Sequence, residues 1–186
     1  VYVTLHGNKF YVFDAGGHPD LLPALEGIGV MAGDIGGVFL THGHYDHVTG
    51  LPSICAASPV PVFINAKDIP LLRKTVEPAL LSDLDGGRAA LEQLGLRTVE
   101  TPGHTPGSTC FFSEGDGTLI SGDTVFPGGY FGRTDLEGGD DGDMVESLRT
   151  LSKLKVNLLL AGHGEPVPDG SRSISAALAN ALYFRG

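Results

Sequence analysis

The segment 41–47, Thr-His-Gly-His-Tyr-Asp-His, contains three imidazoles and one carboxylate within six residues: His42, His44, Asp46 and His47. It follows the apolar run 37–40, which we interpret as a short buried strand. Because His42 and His44 lie two residues apart, an extended segment points both side chains the same way, whereas Asp46 and His47 fall where a helix is predicted to start. One short segment can therefore face two adjacent metal ions. The absence of cysteine from the cluster favours a catalytic site over a closed structural zinc site.

Three further candidate ligands occur singly, each in a glycine-containing loop after a predicted strand. They are His104 in Thr-Pro-Gly-His-Thr-Pro-Gly-Ser, Asp123 in Gly-Asp-Thr, and His163 in Ala-Gly-His-Gly. Loops held by strand ends are common positions for functional residues, and glycine lets the backbone approach an ion closely. Each dipeptide alone is also compatible with a surface turn. The repetition of strand, glycine and ligand predicts that these residues act together with the first cluster.

Strands and helices alternate along the chain after a starting hairpin. We predict strands at 1–5, 10–14, 37–40, 60–64, 96–100, 109–112, 118–121 and 156–160, and helices at 19–30, 48–57, 66–76, 143–153 and 171–184. The segment 77–88 is interpreted as a loop, either mobile near the site or an exposed linker. This pattern predicts an α/β or α+β domain.

Composition and charge limit the partners. The 186 residues carry a formal net charge of −10, and their 12 basic residues are scattered. Nucleic-acid binding depends on clustered Lys and Arg, so this balance disfavours a nucleic-acid partner. No apolar run is long enough to span a membrane. We therefore expect a small-molecule substrate, while the oligomeric state is left open.

The two cysteines, Cys55 and Cys110, lie among apolar or small residues. We interpret them as free thiols, with a disulfide as the alternative. Free thiols are typical of a reducing compartment, and we expect a cytoplasmic protein.

These motifs together resemble the metallo-β-lactamase superfamily, and within it the glyoxalase II-like hydrolases. The resemblance covers nearly the whole chain and includes Gly-Arg-Thr-Asp at 132–135. It implies that His42, His44 and His104 hold a first divalent ion. It also implies that Asp46, His47 and His163 hold a second, and that Asp123 bridges the two. Zinc is the first expectation, with iron and manganese as alternatives.

The resemblance also implies the fold. We expect the α+β class in its αββα form, a sandwich of two mixed β-sheets flanked by helices with the metal site at one edge. Residues 1–186 would form one domain, from which the family's first N-terminal strand is missing. Asp14, in a family-like Asp-x-Gly corner, would steady the ligand loops, although a surface turn residue is the alternative.

The implied activity is hydrolysis of a thioester or ester. Two ions about 3.5–4 Å apart lower the pKa of a shared water and polarise the substrate carbonyl, so no nucleophilic side chain is needed. Asp46 is the candidate catalytic residue, because a ligand carboxylate beside that water can accept and pass on a proton. The family's glutathione hydrolases carry a helical C-terminal extension; we expect none here, which leaves the thiol unspecified.

Two other activities are alternatives within the same superfamily. A persulfide dioxygenase would use one iron held by His42, His104 and Asp123, and a β-lactamase or lactonase would use the same ligands as the hydrolase. For substrate contacts, Tyr45 and Tyr130 are candidates. Arg133 could either contact a substrate carboxylate or form a buried ion pair with Asp135 or Asp140.

Overall fold

The chain divides into two compact units, Val1–Leu94 and Gly95–Gly186, hereafter the first and second unit. The structure is a computed structural model and describes residues 1–72 and 75–185. Each unit has one five-stranded sheet and a buried apolar cluster of its own. The assignment of residues 1–186 to a single domain stays a prediction.

The first unit starts with the predicted hairpin and continues with parallel strands. Its elements are β1 (Tyr2–His6), β2 (Lys9–Phe13), α1 (Leu21–Gly27), β3 (Ile35–Phe39), α2 (Tyr45–Val48), α3 (Leu51–Ala57), β4 (Val62–Ile64), β5 (Leu81–Asp83) and α4 (Arg88–Gln93). The strands lie in the order β1-β2-β3-β4-β5; β1 and β2 are antiparallel, and the remaining neighbours are parallel. Helices α1 and α3 pack on each other and bury their apolar residues against this sheet.

Three details of the first unit differ from the sequence prediction. The helix predicted at 66–76 is a 3₁₀ helix over Ala66–Leu72. In an α-helix the ring of Pro70 would clash with the carbonyl group of Ala66, four residues before it. Residues 73 and 74 lie outside the described residues. The segment 77–88 is not a plain loop, since it contains β5 between short 3₁₀ helices. The helix predicted at 48–57 is divided at Gly50, where a Cβ would lie 2.3 Å from the carbonyl oxygen of Ala15.

The second unit contains the remaining strands and the two longest helices. Its elements are β6 (Leu96–Glu100), β7 (Thr109–Ser113), β8 (Thr118–Gly122), α5 (Asp141–Leu151), β9 (Leu158–Ala161), β10 (Val167–Pro168) and α6 (Gly170–Arg185). The strands lie in the order β10-β9-β8-β7-β6; β8 and β9 are parallel, and the remaining neighbours are antiparallel.

Helix α5 illustrates how the sequence sets an element of this unit. The carboxylate of Asp140 accepts a hydrogen bond of 2.8 Å from the backbone N–H of Asp143 and so caps the first turn. Met144, Leu148 and Leu151 lie on one face of the helix and are buried, as their spacing predicts. This face contributes to the apolar cluster that α5 shares with α6.

Both sheets are mixed, and both carry helices, so the prediction of an α+β protein with two mixed sheets flanked by helices is confirmed. The two cysteines are free thiols, Cys55 half-buried and Cys110 buried. Within the described ranges, no helix is both long and apolar enough to cross a membrane.

Candidate metal centre

The first ligand segment leaves the end of β3 and enters the single-turn helix α2. His42 and His47 are buried, while His44 and Asp46 are half-buried. The ring of His42 lies 4.9 Å from that of His44 and 4.1 Å from that of His47, measured between centroids. The Nε2 atom of His47 is 3.8 Å from Oδ2 of Asp46. The first unit therefore gathers its four predicted ligands at one end of its sheet.

Asp14 supports this segment from the end of β2. Its carboxylate accepts hydrogen bonds from the backbone N–H of Thr41 (2.8 Å), from the Thr41 hydroxyl (2.9 Å) and from Nδ1 of His47 (2.8 Å). Asp14 is buried and has a φ of 56°, in the left-handed region that Asp and Asn tolerate better than most residues. A surface turn residue would make none of these contacts.

The same network fixes the tautomers of two histidines. The Thr41 hydroxyl donates its only proton to Asp14. The hydroxyl oxygen can therefore only accept a hydrogen bond from the Nδ1–H of His42, 3.1 Å away. His47 likewise donates its Nδ1 proton to Asp14. In both rings the lone pair is then on Nε2, which is the arrangement found in histidines that bind metals through Nε2.

The second unit holds its three candidate ligands around one carboxylate. Oδ2 of Asp123 lies 3.5 Å from Nε2 of His104 and 3.4 Å from Nε2 of His163. These separations are longer than an ordinary N–H···O hydrogen bond. Ligand atoms on one tetrahedral zinc ion at its usual bond lengths are about 3.3 Å apart. The spacing therefore fits atoms arranged for a metal better than atoms arranged for hydrogen bonding.

His104 is oriented by the segment that follows the Asp123 loop. Its Nδ1 donates to the carbonyl oxygen of Arg133 at 2.7 Å, which again leaves Nε2 as the acceptor. A Cβ on Gly132 would lie 2.1 Å from the carbonyl oxygen of Asp123 and 2.9 Å from Nδ1 of His104. The glycine of the Gly-Arg-Thr-Asp motif thus allows three backbone segments to meet, a role that the sequence did not indicate.

A hydroxyl pair joins the two ligand loops of the second unit. Thr101, three residues before His104, lies 2.8 Å through its Oγ1 from Oγ1 of Thr124, the neighbour of Asp123. Cys110 contacts the Thr101 hydroxyl at 3.3 Å, and burial raises the pKa of its thiol to about 11. The Cys110 thiol is therefore a neutral packing group. Sequence reasoning missed both threonines, because their contact joins residues 23 positions apart.

The candidate substrate residues are exposed. Tyr45 and Tyr130 are 78% and 72% exposed. Arg133 makes two hydrogen bonds to Asp135, at 2.9 and 2.7 Å, and these bonds lower the pKa of the Asp135 carboxyl to about 2. The expected ion pair of Arg133 therefore forms, but the expectation that it is buried is wrong, since the two side chains are 68% and 66% exposed.

The donor set of both units fits divalent metal ions. Imidazole nitrogens and carboxylate oxygens suit zinc, iron and manganese. Three of the histidines, His42, His47 and His104, have Nδ1 hydrogen-bonded to protein oxygens. Such outer contacts orient histidines that bind metal.

Comparison with known proteins gives matches over most of the chain. The family model described as the metallo-beta-lactamase superfamily matches residues 1–163. A probable metallo-hydrolase, YqgX of Bacillus subtilis, is 28% identical over 88% of this chain and 83% of its own length. A hydroxyacylglutathione hydrolase of Methylobacillus flagellatus is 33% identical over 85% of this chain and 58% of its own length.

Solved structures show the same fold. The protein TTHA1623, whose structure is of a di-iron-bound form, has a TM-score of 0.78 and 27% identity, covering 92% of this chain and 90% of its own. The B3 metallo-beta-lactamase BLEG-1 has a TM-score of 0.71 at 24% identity, over 91% of this chain and 88% of its own. The resemblance predicted from the motifs, to this superfamily and to its hydroxyacylglutathione hydrolases, is confirmed, as is the metallo-β-lactamase fold.

Proposed function

Since the chain belongs to the metallo-beta-lactamase superfamily, we propose that it is a binuclear metal-dependent hydrolase that cleaves a thioester or ester. The observation that carries the proposal is the arrangement around Asp123. One carboxylate oxygen lies 3.4–3.5 Å from Nε2 of two histidines, one of which is held by a carbonyl oxygen at its Nδ1. Each of these separations fits a carboxylate oxygen and an imidazole nitrogen bound to the same metal ion better than a hydrogen bond, so Asp123 could contact one ion beside each histidine.

The proposed ligands are those that the motifs indicate. The first ion would be held by His42, His44 and His104. The second would be held by Asp46, His47 and His163, with Asp123 between the two. Zinc is the proposed metal, and the di-iron form of TTHA1623 supports two-ion occupancy while making iron the main alternative. Manganese fits the same donors.

When bound, two such ions would lower the pKa of a water molecule and polarise the substrate carbonyl. The side chains of this chain have separate tasks. Asp46 is half-buried beside His47, so its carboxylate is open on one side to accept a proton and pass it on. Asp14 holds the His47 ring in place through Nδ1 and so keeps Nε2 directed away from itself.

A small thioester is the proposed substrate class. The hydroxyacylglutathione hydrolase relative acts, by its name, on a thioester of glutathione, but this chain spans only 58% of its length. The acyl group and the thiol are therefore left open in the proposal. The free thiols of Cys55 and Cys110 support the proposed cytoplasmic location.

The test is a panel of small thioesters, esters and a β-lactam with the metal-loaded protein and its Asp46→Ala variant. We expect thioester cleavage by the wild type. The variant should keep the circular dichroism spectrum of the folded chain, because Asp46 is not part of the apolar cluster, yet lose about 10²–10⁴-fold in rate. Asp20→Ala is the matched control, since Asp20 is an exposed carboxylate beside His18 in the same unit.

Three results would contradict the proposal. An unfolded Asp46→Ala protein would show that the cluster is structural. Cleavage of the β-lactam alone would favour a lactamase. Oxygen uptake with glutathione persulfide, without thioester cleavage, would favour the dioxygenase.

A further inference from the structure

We infer that Asp68 is a positioning residue that holds Gly43, the residue between His42 and His44, in the conformation that presents both histidines as ligands. The inference rests on the proposed metal centre, and it concerns a residue outside all the ligand motifs. Asp68 lies on the 3₁₀ helix Ala66–Leu72, which follows β4. Its side chain has no solvent exposure.

The first contact is a hydrogen bond to the ligand segment. Oδ2 of Asp68 accepts from the backbone N–H of Gly43 at 3.0 Å. Gly43 is itself buried, and a buried amide needs such a partner. A carboxylate is a stronger acceptor than a neutral oxygen. The bond therefore fixes the peptide group that joins His42 to Gly43, directly before the Gly43–His44 peptide.

The second contact is close packing of the same 3₁₀ helix on Gly43. A Cβ at this position would lie 2.7 Å from Cβ of Leu71 and 3.1 Å from the carbonyl oxygen of Asp68. The side chain of Leu71 and the backbone of Asp68 thus pack closely against the Cα of Gly43. The Asp68 carboxylate accepts the hydrogen bond of the same residue's N–H. Two independent contacts from one element hold the residue between two ligands.

The burial of a carboxylate at this place has a further consequence. Removing a carboxylate from water is unfavourable unless hydrogen bonds or positive charge compensate. The hydrogen bond from the Gly43 N–H is one such compensation, and a carboxylate at this place would also favour a cationic centre beside the Gly43 peptide. Asp68 is therefore expected to contribute both through its hydrogen bond and through its charge.

Two kinds of variant separate these contributions. Asp68→Ala removes the acceptor and the charge, whereas Asp68→Asn keeps an acceptor oxygen for the Gly43 amide and removes only the charge. Asp68→Ser, whose hydroxyl is too short to reach Gly43, serves as a second loss variant if the alanine protein does not fold. Ile54→Ala is the control, since Ile54 is a fully buried residue of the same unit on α3, outside the ligand segment.

Two measurements are made on the full chain. The first is zinc affinity by competition with a chelator, where removal of a residue that supports a ligand costs about 10–100-fold. We expect a loss in this range for Asp68→Ala or Asp68→Ser, a smaller loss for Asp68→Asn, and wild-type affinity for Ile54→Ala. The second is hydrogen exchange of the peptide containing Gly43 in the metal-free protein. Exchange should be faster in the loss variants and near wild type in Asp68→Asn.

The outcomes distinguish this inference from the proposed function. Wild-type exchange at Gly43 in the loss variants would overturn the inference whatever the metal result. An equal loss of zinc affinity in Ile54→Ala would also overturn it, because the effect would then follow general stability. A wild-type protein that binds none of zinc, iron and manganese would defeat the proposed function instead, and the exchange measurement would still decide whether Asp68 holds Gly43.

Discussion

Replacing Gly132 with alanine should disrupt the metal ligands of the second unit through a steric effect. The added Cβ would lie 2.1 Å from the carbonyl oxygen of Asp123, and 2.9 and 3.0 Å from Nδ1 and Cγ of His104. The closest of these contacts is with backbone, so a rotamer change cannot relieve it. Gly132 has no positive φ in the structure, so backbone strain adds nothing to the effect.

The size of the required movement sets the expected result. To reach ordinary contact at 3.4 Å, the Gly132 and Asp123 backbones must separate by about 1.3 Å. Metal–ligand distances tolerate deviations of only about 0.2 Å. We therefore expect a loss of at least about 10–100-fold in metal affinity, as when a supporting residue is removed. Overpacking of this kind should also lower the free energy of unfolding of the metal-free protein by about 1–3 kcal/mol.

The assay is a zinc titration of the metal-free variant, together with its unfolding in urea. Gly115→Ala is the matched control, because its Cβ would meet only the Ser113 hydroxyl, at 3.9 Å, in an exposed turn of the same unit. Wild-type zinc affinity in Gly132→Ala would refute the reasoning. It would mean that Asp123 and His104 do not depend on the backbone contact.

Four further predictions rest on side-chain contacts. Asp14→Ala should lower zinc affinity by about 10–100-fold, and Asp14→Asn should lower it by less, since Asn can still accept a hydrogen bond. Equal zinc affinities of the Asp14→Ala variant and the wild type in a chelator competition would contradict this. Cys55 should react with iodoacetamide in the folded protein while Cys110 reacts only on unfolding, as mass spectrometry can show. Because the pKa of Cys110 is raised from 9.0 to about 11, the unfolded state binds fewer protons between these values, so Cys110 should lower stability as pH rises through that window. Arg133→Gln should return the pKa of Asp135 from about 2 toward its ordinary value in an NMR titration, and any stabilisation by this exposed pair should be present above about pH 4 and be lost as pH falls toward 2.

The candidate ligands could be predicted from the sequence because metal binding requires particular residue types at short, fixed spacings. His42, His44, Asp46 and His47 lie together in the chain, and the structure places them at the end of β3 as the strand pattern indicates. The periodic elements were also predictable. Helix α5 buries the face that its apolar spacing selects.

The supporting residues could not be predicted in this way. Asp68 reaches a backbone amide 25 positions away, and neither residue carries a local signal of the contact. Gly132 is needed because of the positions of Asp123 and His104, which only the folded chain defines. Strand β5 is only three residues long and lies close after Pro78, in a segment whose composition is typical of loops. It is a strand because it pairs with β4, and this tertiary pairing outweighs the local composition.

The most direct test of the central claim is the metal content per chain of protein purified without added metal or chelator, measured by elemental mass spectrometry. A binuclear hydrolase predicts close to two divalent ions per chain, with loss of the ions and of thioester cleavage together on chelation. One iron per chain with the second set of ligands empty would contradict the binuclear account.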